Sequence, residues 1–239
     1  MNQLRNFGLA ALIVGLTSTV ASASTVTFTT PAGATIGGNP VSASATLTTG
    51  AGTVTLTLSN TLANLTDAAQ LLTDFFFTLD SGTTSSTTIS TSASQDITVN
   101  ANGSFTLGGI VAPGWGLDLA VPGTIHICDI GTGPCTGPFT PAHGLIGAPG
   151  PGGTYSNANG SIAGNSAHNP FLNQTASWTL LVTGVTSATN VTSGIFSFGT
   201  TAGNNVVGVP TTTAVPEPAS MMLLGTGLLL ISVTIRRRR

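Results

Sequence analysis

The stretch Thr53-Val-Thr-Leu-Thr-Leu-Ser59 sets the fold class, because a hydroxyl-bearing residue alternates with an apolar one at every position. Successive side chains of a β-strand point to opposite faces, so this alternation predicts a strand with one apolar face and one hydroxyl face. The same period of two is present at residues 24–30 and 41–48. Valine, isoleucine and threonine favour strands, which supports a β fold.

Further strand candidates follow along the chain and are separated by clusters of glycine, asparagine and proline. They lie at residues 75–79, 95–100, 104–110, 124–130, 177–183, 195–198 and 206–209. Many short strands with such punctuation predict an all-β fold, an antiparallel β-sandwich-like domain with long Gly/Pro/Asn-rich loops. One short helix is expected at residues 66–73, because Asp67 suits a helix start.

Two stretches, residues 113–122 and 131–155, lack strand periodicity and are rich in glycine and proline. The second has no sustained Gly-X-Y register, which excludes a collagen helix. We expect it to be a long loop that continues to Pro170. Long loops without secondary structure are uncommon unless they are functional or disordered.

Charge is scarce: 5% of the 239 residues are charged, against roughly 25% in ordinary soluble domains. There is no lysine, and the arginines lie at position 5 and at the last four positions. A body without both ends keeps six aspartates and a formal charge of −6. Such a body has no cation to neutralise phosphates, so we expect no nucleic-acid partner.

Residues 1–23 have the features of a secretory signal peptide. Arg5 precedes an apolar stretch at residues 7–16, and Ala21-Ser22-Ala23 is a small-residue cleavage site with Ala21 and Ala23 at its key positions. The alternative is an N-terminal core helix, but the cleavage site is well placed for a signal. We therefore expect Sec-type export, with the mature chain starting near Ser24.

At the other end, residues 219–235 form an apolar run. As a helix this run would be roughly 25 Å long, slightly under a hydrocarbon core of ~30 Å. Four arginines then follow, which favour the cytoplasmic side and act as a membrane stop: Arg236, Arg237, Arg238 and Arg239. The expected division is a signal peptide at 1–23, a Thr/Ser/Gly-rich β domain at 24–210, and a linker with a membrane segment at 211–239.

The tail has a specific pattern: Val-Pro-Glu-Pro at 215–218, Ala-Ser, an apolar run containing Gly-Thr-Gly, and an arginine cluster. This order resembles the PEP-CTERM sorting signal. The resemblance implies that Pro216, Glu217 and Pro218 are recognised by an exosortase, a membrane cysteine protease that cleaves nearby and releases the chain from a transient membrane anchor. It also implies a Gram-negative bacterium that makes exopolysaccharide. The alternative is a tail anchor that is never cleaved.

The body resembles, more loosely, a group of exosortase-dependent surface proteins of uncharacterised type. The similar segments are Gly-Thr-Val-Thr-Leu-Thr-Leu at 52–58 with Asn60, Phe-Phe-Phe-Thr-Leu at 75–79, and Phe-Ser-Phe-Gly-Thr at 196–200. The group has no activity that could be transferred to this chain.

Cys128 and Cys135 are the only cysteines. In an exported chain a disulfide is favoured, and here it would fasten the base of the Gly/Pro loop. A metal site with His126, Asp129 and His143 is the competing interpretation, but the spacing matches no known zinc pattern. Free thiols are the third possibility. We therefore expect a disulfide and no metal.

No catalytic motif is found, and we expect neither an enzyme nor a cofactor. Ser166 and His168 lie close in sequence, but they do not form the Gly-x-Ser-x-Gly elbow. His143 and His168 are expected to be solvated loop residues. The aspartates form no calcium-binding loop and are expected to be solvated or to form turns, as Asp80 does before Ser-Gly.

Threonine runs at residues 25–29 and 53–57 raise a different question, because a flat array of threonines could bind ice or a glycan. The runs are not spaced as a repeat, which a flat array would require. We therefore expect threonine simply to fill the exposed faces of strands.

These observations predict an exported cell-surface or matrix protein with a structural or adhesive role, associated with exopolysaccharide or biofilm. A glycan-binding module is the alternative, and it would expose aromatic side chains: Trp115, Tyr155 and Trp178 are the candidates. A secreted enzyme is a third hypothesis, and it would place an acid such as Asp118 or Asp129 near a histidine.

Overall fold

The computed structural model describes residues 23–130, 135, 143–163 and 169–211. Over these residues the chain is mainly β, which confirms the prediction of a β fold. The strands are β1 Ser24–Thr29, β2 Thr35–Ile36, β3 Asn39–Pro40, β4 Ala43–Gly50, β5 Thr53–Asn60, β6 Leu72–Leu79, β7 Thr83–Val99, β8 Phe105–Val111, β9 Gly116–Asp118, β10 Thr124–Cys128, β11 Leu145–Ile146, β12 Phe171–Thr183, β13 Val191–Phe198, β14 Asn205–Val207 and β15 Val209–Thr211.

Hydrogen bonds connect 13 of these strands in one sheet, whose main order is β14-β13-β6-β11-β12-β5-β4-β1-β15. The β10–β9 pair branches from β6, and the β7–β8 pair branches from β12. Nearly all pairs are antiparallel; β11 and β12 run parallel. Strands β2 and β3 form a separate hairpin.

The two ends of the sheet order meet at residues 205–211. Strand β14 pairs with β13, and β15 pairs with β1. Between them, the Gly208 amide donates to the Gly194 carbonyl oxygen at 2.8 Å. A side chain would not fit at Gly194, because a Cβ there would lie 2.8 Å from Cγ of the buried Phe28 ring. This close contact packs β1 against β13.

The main hydrophobic core contains buried side chains from two parts of the sheet, one around β6 and β13 and the other around β5 and β12. Phe75, Phe77 and Phe196 come from β6 and β13, and Leu56 and Trp178 come from β5 and β12. Each such side chain contributes about 1.5–3 kcal/mol when fully buried. A second, smaller core cluster lies around Tyr155, Ile162 and Phe171. Burial on alternating positions is what the period of two predicted.

The helix expected at residues 66–73 is reduced to one 3-10 turn, Ala68–Gln70. Asp67 does begin it: its side chain accepts from the Ala69 amide at 2.8 Å, while the Gln70 side chain accepts from the Asp67 amide at 3.0 Å. The prediction of its end was wrong. Leu72 already starts β6, because its pairing with β13 and β11 outweighs local helix preference.

The loops expected at residues 113–122 and 131–155 are also not wholly irregular. The first contains β9, and the second contains β11, which is held between β6 and β12. Gly147 follows β11 and lies against the Leu62 carbonyl, where a side chain would not fit. A π-helical turn, Ala158–Ile162, lies in the expected continuation of the loop.

Candidate functional site

Hydroxyl-bearing side chains line one side of β1, β4, β5 and β12, with apolar side chains on the other. The strand register aligns these hydroxyls in three rows that cross the strands. The first row is Thr25, Thr48, Thr55, Thr179 and Thr91; the second is Thr211, Thr27, Thr46, Thr57 and Ser177; the third is Thr29, Ser44, Ser59 and Thr175. We call this set the hydroxyl face. The sequence did not predict it, because its members come from distant segments.

β-Sheet geometry fixes the spacing of the hydroxyl face. Neighbours in a row are about 4.8 Å apart, and neighbours along a strand are about 6.6 Å apart. Hydroxyl groups are paired across strands between Thr25 and Thr48 at 3.0 Å, and between Thr27 and Thr46 at 3.0 Å. A hydroxyl has one donor and two acceptor sites, so a paired hydroxyl still has hydrogen-bonding capacity toward solvent.

All side chains of the hydroxyl face are exposed or half-exposed, and none is ionisable. The residues between them point the other way, and most are fully buried, for example Leu47 and Leu56 at 0% exposure, while Val26 is partly buried. The face is therefore hydrophilic without charge, and it is carried by strands whose inner side is the main core.

A second candidate is a cluster of two carboxylates around His126 on β10. His126 Nε2 lies 3.7 Å from Asp74 Oδ2, and Nδ1 lies 3.5 Å from Asp118 Oδ2. The imidazole stacks on the Phe76 ring, with centroids 3.6 Å apart. The two carboxylates flank opposite sides of one ring, so they do not converge on a common point. Within the described ranges, no group of three or more His, Cys, Asp or Glu residues could hold a metal ion.

The enzyme hypothesis required an aspartate near a histidine, and Asp118 beside His126 meets that requirement. Both ring nitrogens of His126 face a carboxylate, and its side chain is 13% exposed. A general base needs a nitrogen within reach of a substrate proton. The arrangement therefore suits a structural contact better than catalysis, and the absence of enzymatic activity stays a prediction.

Asp129 follows β10 and is buried, with 2% exposure. Its amide donates to Thr73 O at 2.9 Å and to Asp74 Oδ1 at 3.0 Å, so the two carboxylate residues are neighbours. Burial, and then the negative charge of Asp74, raise the pKa of Asp129 to about 8, against a smaller lowering by a hydrogen bond from the His143 backbone. A carboxyl group with this pKa is protonated at neutral pH.

His143 was expected to be solvated, and this expectation was wrong, because the side chain is 4% exposed. Burial lowers its pKa, while the charge of Asp96 and a hydrogen bond with the Pro170 backbone act in the opposite direction. Its carbonyl oxygen accepts from Trp115 Nε1 at 2.8 Å, which ties the segment to the core. His168 lies outside the described residues.

The three aromatic residues proposed for an exposed glycan platform are all buried. Trp115, Trp178 and Tyr155 are 2%, 1% and 2% exposed. The two tryptophan rings pack together with centroids 5.0 Å apart, and the Tyr155 hydroxyl donates to Gly147 O at 2.8 Å. Burial raises the pKa of Tyr155 to about 12. These residues form core, and the aromatic-platform prediction was wrong.

Cys128 and Cys135 are joined by a disulfide, with Cα atoms 6.4 Å apart. Cys128 is the last residue of β10, and both cysteines are buried. The bridge therefore closes a short loop directly after the strand that carries His126.

Most of the predicted processing residues lie outside the described residues. Ala21, Pro216, Glu217, Pro218 and the arginines at 236–239 are all in this group, as is the predicted membrane segment at 219–235. Ala23 is described and is exposed just before β1. In the described part of the chain, no helix has the length and apolar character needed to span a membrane.

Comparison with known proteins identifies a sorting motif in the C-terminal tail. Residues 214–239 match the family described as the PEP-CTERM protein-sorting motif. No curated protein and no solved structure matches the chain. The motif marks the chain for exosortase-dependent processing and for export to the cell surface or beyond. The β body is of uncharacterised type.

Proposed function

We propose that this protein is a structural or adhesive component of the cell surface or extracellular matrix, associated with the exopolysaccharide or biofilm of a Gram-negative bacterium. The hydroxyl face is the observation that carries this proposal, because it gives the body a large hydrophilic surface without ionisable groups. The sorting motif at residues 214–239 supplies the route to that location.

The charge of the chain supports the same role. Removing both ends leaves a body with six aspartates and no lysine or arginine. Such a body is repelled by polyanions and cannot form a lysine or arginine salt bridge of its own. Hydroxyl groups are uncharged hydrogen-bonding groups that suit contact with hydrated polymers. The Cys128–Cys135 disulfide is consistent with an oxidising location.

We also propose the finer features of sorting and fold. Residues 1–23 direct Sec-type export, and residues 219–235 serve as a transient membrane anchor until an exosortase acts near Pro216, Glu217 and Pro218. The two parts of the sheet pack as a sandwich around the main core, since that core takes side chains from β6 and β13 on one side and from β5 and β12 on the other.

The test uses the full chain expressed in a host with an exosortase and in the same host without it. We expect mass spectrometry of the exported protein to show loss of residues 221–239 only when the exosortase is present. Glu217→Ala should block this loss, while Thr213→Ala, a nearby linker change, should not. An exported protein that keeps its arginine tail in the presence of the exosortase would contradict the sorting proposal.

The location is tested separately, by fractionating the cells and their matrix. We expect the processed protein to remain with the polysaccharide matrix after washing, and a deletion strain to lose surface adhesion. A processed protein that is recovered entirely in the free medium, with unchanged adhesion of the deletion strain, would contradict a structural or adhesive role.

A further inference from the structure

The hydroxyl face is a two-dimensional array and not a single line of polar residues. The first row crosses β1, β4, β5, β12 and β7, the second crosses β15, β1, β4, β5 and β12, and the third crosses β1, β4, β5 and β12, with directly opposed residues in each row. For example, Thr46 lies opposite both Thr27 and Thr57. A ligand that follows a row therefore meets a hydroxyl at each strand, about every 4.8 Å.

The chemistry of this array matches that of sugar polymers. Each threonine offers a hydroxyl that can donate or accept, together with a methyl group, and a sugar presents hydroxyls and C–H groups in the same mixture. A hydroxyl can rotate to suit its partner, so contact does not require one fixed sugar orientation. The array can therefore bind a polymer of repeating units in more than one register.

The charge of the protein restricts which polymers fit. None of the six aspartates belongs to the three rows, so the face itself is neutral; the aspartate on β7, Asp96, lies five residues beyond Thr91. No lysine or arginine is present among residues 24–210 to attract an acidic polymer, while the aspartates repel one. These facts favour a neutral polysaccharide over a polyanionic one.

The twist of the sheet determines whether the hydroxyl face can contact a flexible polymer or a rigid lattice. Adjacent strands rotate by about 20–25°, so an array across five strands does not stay flat. A rigid, flat surface such as ice requires a flat array, whereas a polysaccharide chain can follow a twisted one. The contacts are weak one by one, at about 0.5–1.5 kcal/mol each, so useful binding requires several of them at once.

We infer that the hydroxyl face is a binding surface for neutral polysaccharide chains. This inference rests on the proposed function, because it names the partner that holds the processed protein outside the cell. It assigns binding to Thr and Ser side chains of β1, β4, β5 and β12, and not to the buried aromatic residues.

The test is affinity electrophoresis of the processed, exported protein through native gels that contain dextran, hydroxyethyl cellulose or galactomannan, with acidic alginate as a fourth gel. We expect retardation in at least one neutral gel, insensitive to salt, and none in alginate. The double variant Thr46→Val/Thr57→Val removes two hydroxyls of the middle row at nearly constant volume. It should weaken the apparent binding about tenfold.

Two controls separate loss of binding from loss of structure. Thr98 and Thr106 also form a cross-strand pair, on β7 and β8, but they lie outside the three rows. Thr98→Val/Thr106→Val should therefore bind as the wild type does. The variant Thr46→Ser/Thr57→Ser keeps both hydroxyls and should retain most of the binding.

Three results would overturn the inference. The first is a protein that is exported and processed normally but is not retarded in any neutral gel. The second is equal retardation of the Thr46/Thr57 and Thr98/Thr106 valine variants. The third is retardation in alginate alone. Inhibition of ice recrystallisation, with no polysaccharide binding, would reassign the face to ice. A chain that is not exported or not processed would contradict the proposed function instead.

Discussion

Replacing Asp129 with asparagine should change how the stability of this protein depends on pH. Asp129 is buried next to Asp74, and its pKa is raised to about 8 from an ordinary value of 3.8. In the unfolded chain the same carboxyl group is exposed and titrates near 3.9. Between these two values the folded protein holds a proton that the unfolded chain has released.

The size of the effect follows from this difference in bound protons. With one more proton on the folded state, the free energy of unfolding falls by about 1.4 kcal/mol for each unit of rising pH. Over the interval from pH 5 to pH 7 the loss is about 2.7 kcal/mol. It begins near the unfolded pKa and ends near the folded pKa of about 8. Asparagine cannot ionise, so the variant should not show this loss.

Urea unfolding at pH 5, 6 and 7 measures the effect on the processed protein. The difference in unfolding free energy between D129N and wild type should rise with pH by the amount given above. Other groups, including His143 with its burial-lowered pKa, titrate in both proteins and cancel in the difference. Asp80 is the matched control: hydrogen bonds from Asn190 lower its pKa, so D80N should run parallel to wild type. Parallel curves for D129N and wild type would refute the raised pKa of Asp129.

Two further changes test the packing of the fold. Gly194→Ala should destabilise the protein by about 1–3 kcal/mol, because its Cβ would lie 2.8 Å from Phe28 Cγ. The control variant Gly109→Ala meets nothing within 4 Å, so its unfolding free energy should lie within about 0.5 kcal/mol of wild type. Equal shifts of Tm for the two variants in thermal unfolding would contradict this packing. Reducing the Cys128–Cys135 bridge, which closes a loop with a sequence separation of seven, should cost about 2–3 kcal/mol. An unchanged urea midpoint after dithiothreitol treatment, with both thiols alkylated, would argue against a stabilising bridge.

The strands with one buried face were predictable from the sequence. β5 was predicted at residues 53–59 and is found at Thr53–Asn60, and β1 was predicted at 24–30 and is found at Ser24–Thr29. In both strands the apolar positions of the alternation face the core, since only one face of the strand contacts it. The candidates at 104–110 and 195–198 correspond to β8 and β13, but they were predicted from apolar and aromatic residues, and β8 has no buried side chain.

Other strands depend on pairing and could not be read from local pattern. The first part of β7 is almost entirely serine and threonine, and its strand form follows from pairing with β12, as at Thr91 opposite Thr179. β11 has only two residues, Leu145 and Ile146, which are held by strands on both sides. Such segments have no period of their own that is long enough to detect.

The burial of Trp178 follows from the alternation of its strand. Thr175, Ser177 and Thr179 occupy alternate positions, so Trp178 between them belongs to the apolar face of the same strand. The residue type of Trp178 suggests a binding role, but its position in the alternation places it in the core. Trp115 offered no such signal, because β9 is only three residues long.

The hydroxyl face shows why spacing along the chain was the wrong test for an array. The threonine runs at residues 25–29 and 53–57 are not spaced as a repeat along the chain, which predicts no ordered surface. In an antiparallel sheet, however, the regular spacing is supplied by the strand register: Thr25 lies opposite Thr48, and Thr55 lies opposite both Thr48 and Thr179. Segments more than a hundred residues apart can thus complete one row. The period of two keeps the hydroxyls of each strand on one side, and the pairing register brings the hydroxyls of neighbouring strands to the same side of the sheet.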